Sequence, residues 1–566
     1  MVLPFTRDIQ EKRPPGKAKI NSTMETGFLS IILHAHLPYV RHPEYDSCFE
    51  ENWLFEAITE CYVPLVNVLD RLHNDSIEYR LTLSLSPTLI TMLEDELLIS
   101  RYLQYLLQRI ELAEKEIVRT RKEPDFQCLA RLYRRFFLKI LKTFQDDYHG
   151  KLLTAFKKHY NTGKLELITS AATHGFLPLL SISETAVRNQ VKLGIDTFKA
   201  YLGFSPSGFW IPECGYYPGL EAVLKTQGIN YFFTDTHAIT HASQRPVNDV
   251  YAPLDCGNGV AAFGRDPESS RQVWSSHEGY PGDCDYREYY RDIGFDLPLD
   301  DISAYILDSK TRINTGIKYY RVTGADRPKA VYNPRAALTK TQLHARDFLA
   351  KRQQQITRLS HRMTKQPIIV APYDAELFGH WWFEGPHWLE EVLRLTGDAS
   401  YNLQTVSCSD YLQLFPSSQV AVPSASTWGE QGYSEYWINE ANAWIYPFLH
   451  RAATKMQQLA VDFQAVARHS VQERALNQAL RSIFLAQASD WPFIMKSGTT
   501  IEYAKKRIMD HLARFNYLHD SIRKQQIDER YLTAIEILDN IFPEINFRDY
   551  CANNNLTSPD TVQKNG

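Results

Sequence analysis

Two acids stand at the ends of apolar runs in this chain of 566 residues: Glu213 in GFWIPECGYYPG and Asp374 in QPIIVAPYDAELFGHWWFEGP. Each run reads as a strand and each acid is followed by a turn, so both fall at the carboxyl rim of a sheet, where barrel enzymes carry their reacting groups. Two carboxyls at one barrel mouth suit glycosidic bond cleavage: one attacks or supports the anomeric carbon, the other protonates the departing oxygen. Taken singly, either acid could equally be a helix cap or half of a salt bridge.

Other polar groups lie at neighbouring strand ends. His34 and His36 in IILHAHLPYVRHPE are two apart on a strand, so their rings point to one face, and His174 in ITSAATHGFLP ends another. Three histidines suit a zinc site of a sugar deacetylase, a set of donors for sugar hydroxyls, or satisfied core positions. The segment GRDPESSRQVWSSHEGYPGD combines Arg265, Trp274 and a turn with Gly282, a forked guanidinium beside an indole face. Trp428, Trp437 and Trp444 in STWGEQGYSEYWINEANAWIY read as a sugar platform or as packing between two domains, and the spacing favours packing. In QASDWPF the acid Asp490 interrupts a helical pattern just before Trp491 and Pro492.

The elements that must position these groups alternate. Seven β-rich runs begin at Gly27, Ile77, Lys164, Gly208, Ile229, Gly259 and Gln366, several followed by helical patterns such as PGLEAVLKTQG. That alternation predicts an α/β fold, a distorted (β/α)7 barrel over residues 27–415, with a helical insertion at about 94–160. Residues 416–545 are expected to form an all-helical C-terminal domain. The charged, Pro-containing residues 1–26 read as a flexible extension with Met24 as an alternative start, and 546–566 as a loose tail.

Composition narrows the partners. With 62 basic and 66 acidic residues the net charge is -4, which supplies no electrostatic attraction for nucleic acid or an anionic membrane. No signal peptide or membrane-length apolar run is legible, and the eight cysteines form no C-x-x-C pair, so a cytoplasmic protein with reduced thiols is expected. Aromatic residues reach 12%, enough to provide flat faces for sugar rings or extra core packing.

Together LHAHLPY, ITSAATHGFLP, FWIPECGY, YDAELFGHWW and WINEANAWIY resemble, in order, the five motif regions of glycoside hydrolase family 57 and, within it, the branching enzymes. The resemblance implies the barrel with its helical insertion and C-terminal helices, no metal or cofactor, and a retaining mechanism on α-1,4-glucan as donor and acceptor. Glu213 then resembles the nucleophile and Asp374 the general acid/base. Arg265, Gly282, Trp428 and Asp490 match glucan-binding positions, and His34, His36, His174, Trp274 and Trp437 would line the same cleft. Branching members also carry a loop tyrosine over the acceptor side; in THAITHASQRPVNDVYAPL the one candidate is Tyr251. Without it, transfer would give way to hydrolysis, so an α-amylase or 4-α-glucanotransferase of the family is the alternative, and a metal-dependent deacetylase the alternative of another class.

Overall fold

The computed structural model describes residues 27–275, 278–307, 310–324, 328–397 and 401–551. Ten strands occur among them: β1 (Gly27–Ala35), β2 (Leu81–Leu85), β3 (Leu165–Ser170), β4 (Gly208–Trp210), β5 (Tyr231–Thr234), β6 (Leu254–Asp255), β7 (Ala261–Gly264), β8 (Ile368–Asp374), β9 (Leu403–Thr405) and β10 (Gln419–Val420). Seven of them, in the order β7-β5-β4-β3-β2-β1-β8, form one parallel sheet. Each falls at one of the seven expected runs. The sheet curls into a distorted (β/α)7 barrel whose seam lies between β7 and β8. No ladder joins these two strands among the described residues; a backbone hydrogen bond from Asp266 N to Val370 O, 2.8 Å, crosses the seam.

The curl follows from the alternation of side chains along each strand. Phe28 and Ile32 of β1, Ile168 of β3, Trp210 of β4, Tyr231 and Phe233 of β5, Phe263 of β7 and Ile368 and Val370 of β8 form one buried cluster inside the barrel. The intervening residues Leu29, Ile31 and Leu33, Leu81, Leu83 and Leu85, and Ile369 and Ala371 belong to the larger core under the surrounding helices. Both faces are therefore buried, which is why these strands read as nearly continuous apolar runs. The last inward positions toward the carboxyl end are polar, and this change of chemistry marks the mouth.

Register decides which polar groups meet there. His34 of β1 pairs with Ser84 of β2 and with Asp374 of β8, so the three stand side by side on neighbouring strands at one level.

Between β2 and β3 the helices Glu96–Arg119, Pro124–Leu141 and Leu152–Asn161 carry the expected helical pattern, the first capped by Asp95, which accepts from Leu98 N at 3.0 Å. Beyond the barrel, Tyr446–Asp462, Val471–Ala486, Asp490–Ser497, Ile501–Lys524 and Glu529–Leu538 are helical. Two boundaries differ from expectation. Residues 416–445 are not helical throughout, because Gln419 and Val420 pair with Leu254 and Asp255 on the sheet edge. Residues 546–551 are no loose tail: Phe547 and Tyr550 are wholly buried, the latter edge-on to Phe484. Burying two aromatic side chains stabilises by several kcal/mol, roughly 1.5–3 kcal/mol each, enough to hold a short segment. The N-terminal extension and the rest of the tail lie outside the described residues. No described helix is long and apolar enough to cross a membrane.

Helix Glu184–Leu202 approaches β3 so closely that a Cβ on Gly194 would sit 2.3 Å from the Ser170 carbonyl oxygen. Gly194→Ala should therefore destabilise the fold by about 1–3 kcal/mol through overpacking, read as a lower urea midpoint at unchanged slope.

Candidate active site

At the barrel mouth lies a cavity of about 470 Å³, lined by His34, His36, His174, Glu213, Arg265, Trp274, Asp374, Glu376, Trp381, Trp428, Trp437 and Asp490, with Tyr436 and Phe493 at its edge. Ten of the eleven residues singled out by sequence line it. Gly282 does not: it is exposed in the turn Tyr280–Gly282, its N–H bound to Gly279 O at 3.2 Å. Tyr251 is also elsewhere. It is half-buried with its hydroxyl accepting from Gln355 Nε2 at 3.1 Å, and its carbonyl accepts from Ile368 N at the start of β8. The segment between β5 and β6 has no other tyrosine.

Glu213 follows the three-residue strand β4 through Pro212 and sits at φ 60, ψ 22, a left-handed conformation unusual for a residue with a side chain. Cys214 and His174 share it, at φ 49 and φ 55. Such strain concentrates at functional sites because surrounding contacts must impose it. Here Trp428 does so twice: its backbone N–H donates to Glu213 O at 3.1 Å and its indole Nε1–H to Glu213 Oε2 at 2.9 Å. Ser489 Oγ donates to Oε1 at 3.0 Å.

The two acids differ in what surrounds them. Burial raises the Glu213 carboxyl above its usual range, with the Asp490 charge adding to it, while the Trp428 and Ser489 hydrogen bonds and the His36 charge pull the other way. Hydrogen bonds to an ionised group are worth roughly 1.5–3 kcal/mol each, so two of them keep the carboxylate within reach. Asp374 accepts no side-chain hydrogen bond from the described residues. Burial first, then the charges of Glu376 and Glu213, push it far up, and only Arg265 opposes. Glu213 is thus the more readily ionised and Asp374 the more readily protonated, the separation that pairs a nucleophile with an acid.

The histidines form a stacked wall. The His36 and His174 rings lie 3.8 Å apart at 17°, and His34 stacks on Trp210 at 4.5 Å. His34 and His174 share a hydrogen bond of 3.0 Å between their Nε2 atoms, while their Nδ1 atoms meet Ser84 and Ser489. The nitrogens that a shared zinc ion would use are therefore engaged with one another and with two hydroxyls. His36 Nε2 meets both oxygens of Asp490, at 3.1 and 3.2 Å, and its buried Nδ1 has no hydrogen-bond partner among the described residues. Burial tends to lower the pKa of His36; the charge and hydrogen bond of Asp490, with the charges of Glu213 and Glu376, raise it overall.

The aromatic residues divide. Trp437 is 1% exposed and stacks on Phe176 at 4.4 Å, so it reaches the cavity as part of the packing. Trp428 is committed to Glu213. The open faces are Trp274 and Trp381, each 43% exposed and edge to face at 5.7 Å. Trp444 is outside the lining. Sequence reading passed over Glu376, Tyr436, Phe493 and Ser489; the available signals were Glu376 two residues after Asp374 and Ser489 next to Asp490.

Residues 30–423 match the family model described as glycosyl hydrolase family 57, and residues 448–550 match the C-terminal region of 1,4-alpha-glucan branching enzyme. The 1,4-alpha-glucan branching enzyme of Thermococcus kodakarensis is 30% identical over 93% of this chain and 79% of its own length. Among solved structures, the alpha-amylase of Thermotoga maritima superposes with a TM-score of 0.87 at 45% identity, covering 93% of this chain and 99% of its own. The family 57 branching enzyme of Pyrococcus horikoshii superposes with a TM-score of 0.83 at 32% identity, covering 95% and 99%.

Asp490→Asn should lower the pKa of His36, because it removes the nearest opposing charge. NMR titration of protein carrying labelled histidine reads the shift; an unchanged His36 titration would rule out Asp490 as the cause.

Proposed function

The chain belongs to glycosyl hydrolase family 57, and we propose that it is a 1,4-α-glucan branching enzyme of that family. The observation that carries the reading is the pair Glu213 and Asp374 in one cavity, one accepting two hydrogen bonds that favour its carboxylate form and the other pushed by burial toward its acid form. The match of residues 448–550 to the branching enzyme C-terminal region adds to it.

In the proposed mechanism Glu213 attacks the anomeric carbon of an internal α-1,4 bond while Asp374 gives its proton to the departing 4-oxygen. A glucosyl group is left covalently on Glu213. Asp374, now ionised, takes the proton of the 6-hydroxyl of another glucan chain as that oxygen displaces Glu213, creating an α-1,6 branch with retained configuration. Arg265, beside Asp374, limits the charge penalty when the acid ionises. His36 Nδ1, a nitrogen of the cavity wall without a hydrogen-bond partner among the described residues, is suited to a sugar hydroxyl. The exposed faces of Trp274 and Trp381 suit stacking of glucose rings. Donor and acceptor would both be α-1,4-glucan, and the setting cytoplasmic glycogen or starch synthesis.

A second reading, hydrolysis, has two specific supports. The loop after β5 contains no tyrosine facing the cavity, and the 45% identical neighbour is an alpha-amylase. Water and the 6-hydroxyl compete for the same intermediate, so the two readings differ only in what reaches it second.

Incubation with amylose, followed by proton NMR and enzymatic debranching, separates them: α-1,6 signals and short released chains are expected, whereas reducing ends alone would make the protein an amylase. Glu213→Gln should abolish cleavage and branching together, and full activity in that variant would remove Glu213 as nucleophile. Trp428→Phe should impair both activities, since it removes a donor to Glu213. Glu376→Gln removes one charge that raises Asp374, so Asp374 should ionise at lower pH and the alkaline limb of the rate profile should move down.

A further inference from the structure

The donor Ser489 stands at an unusual place. It precedes helix Asp490–Ser497 in the N-cap position, yet its side chain makes no capping hydrogen bond. Ser86, Ser183, Ser407 and Ser470, at the starts of four other helices, each accept from a backbone N–H of the first turn. Ser489 is 1% exposed, and its backbone is pinned to the site from behind: its N–H donates to His174 O at 3.1 Å, and Ala488 bridges Gly175. Its hydroxyl faces Glu213 instead of the helix.

The direction of each bond follows from there. An ionised carboxylate only accepts, so Ser489 Oγ donates its single proton to Glu213 Oε1, 3.0 Å away. Ser489 Oγ must then accept from His174 Nδ1, at 2.9 Å. Burial and the nearby His36 charge keep the His34 and His174 rings neutral, so His174 Nε2 carries a lone pair and accepts from His34 Nε2–H at 3.0 Å. His34 Nδ1 is left as the acceptor for the Ser84 hydroxyl, also at 3.0 Å. Four hydrogen bonds thus run in one sense from β2 through β1 and the loop after β3 to Ser489 in the helical C-terminal part, the last of them ending on Glu213 Oε1.

We infer that Ser489 is a positioning residue for Glu213, the last link of an ordered chain Ser84–His34–His174–Ser489 that orients the carboxylate and holds it ionised. The inference rests on the reading of Glu213 as nucleophile. Bonds aligned head to tail polarise one another, so the terminal hydroxyl donates more strongly than an isolated serine. The remaining groups facing Glu213 are Trp428, the charges of His36 and Asp490, and Asp374 across the cavity. None of them supplies a second donor to Oε1 among the described residues.

Steady-state cleavage of amylose by Ser489→Ala, Ser489→Thr, Ser84→Ala and Glu213→Gln across pH tests this. Loss of a donor to an anion raises its pKa, so in Ser489→Ala the acid limb of kcat/KM should move up by about one pH unit and kcat fall roughly tenfold, with KM little changed. Ser489→Thr, which keeps the hydroxyl, should restore most of the rate and the original limb. Ser84→Ala, three links further away, should shift the limb in the same direction by less. An unshifted limb in Ser489→Ala beside an inactive Glu213→Gln would overturn the inference and leave the nucleophile standing. Equal loss in the Ala and Thr variants with lowered melting temperatures would reduce Ser489 to a packing residue. An active Glu213→Gln would overturn the nucleophile reading itself.

Discussion

A carboxylate removed from water must be given donors or it takes up a proton, and the site is built around that constraint at Glu213. Its donors, Trp428 and Ser489, are more than 200 residues away in the chain. Folding of the barrel alone does not bring them together. The segment after the sheet must cross the mouth to deliver the indole, and the break between two C-terminal helices must dock on the loop after β3 to deliver the hydroxyl. The strained backbone of Glu213 and His174 persists because the same contacts hold it.

The opposite treatment of Asp374 follows from the barrel's own geometry. It ends β8 in register with His34, directly above an apolar interior, with Glu376 two residues on and no side-chain hydrogen-bond donor among the described residues. The same sheet therefore presents two acids at its rim in different electrostatic states. What separates them is the hydrogen bonding supplied by elements outside the sheet. An enzyme that needs one group as anion and the other as acid at a common pH obtains both from a single cavity in this way.

The family relationship accounts for the barrel, the order of the motifs and the C-terminal helices, but neighbours named as branching enzymes and as an alpha-amylase share this architecture closely. In the proposed mechanism the chemistry up to the covalent intermediate is common to both outcomes. In that mechanism, discrimination between sugar and water acts afterwards, at the cavity, where Trp274 and Trp381 offer exposed faces.

Local signals were sufficient for much of this. Short, nearly continuous apolar runs identify seven strands, because a sheet buried on both faces leaves little room for polar residues, and an acid immediately after such a run has to lie at the rim. Glu213, Asp374, the histidines and Asp490 were legible on those grounds together with motif order. Gly282 and Tyr251 were assigned from the family resemblance, and their surroundings differ: a turn already satisfied by its own backbone, and a hydroxyl paired with Gln355. Ser489 carried no signal beyond its place beside Asp490, since a serine before a helix ordinarily reads as its cap. Sequence by itself determined which side chains stand at strand ends, a matter of short-range periodicity. Only the tertiary structure decided which of them hold protons and which are held by donors, because burial and hydrogen bonding depend on contacts between segments hundreds of residues apart.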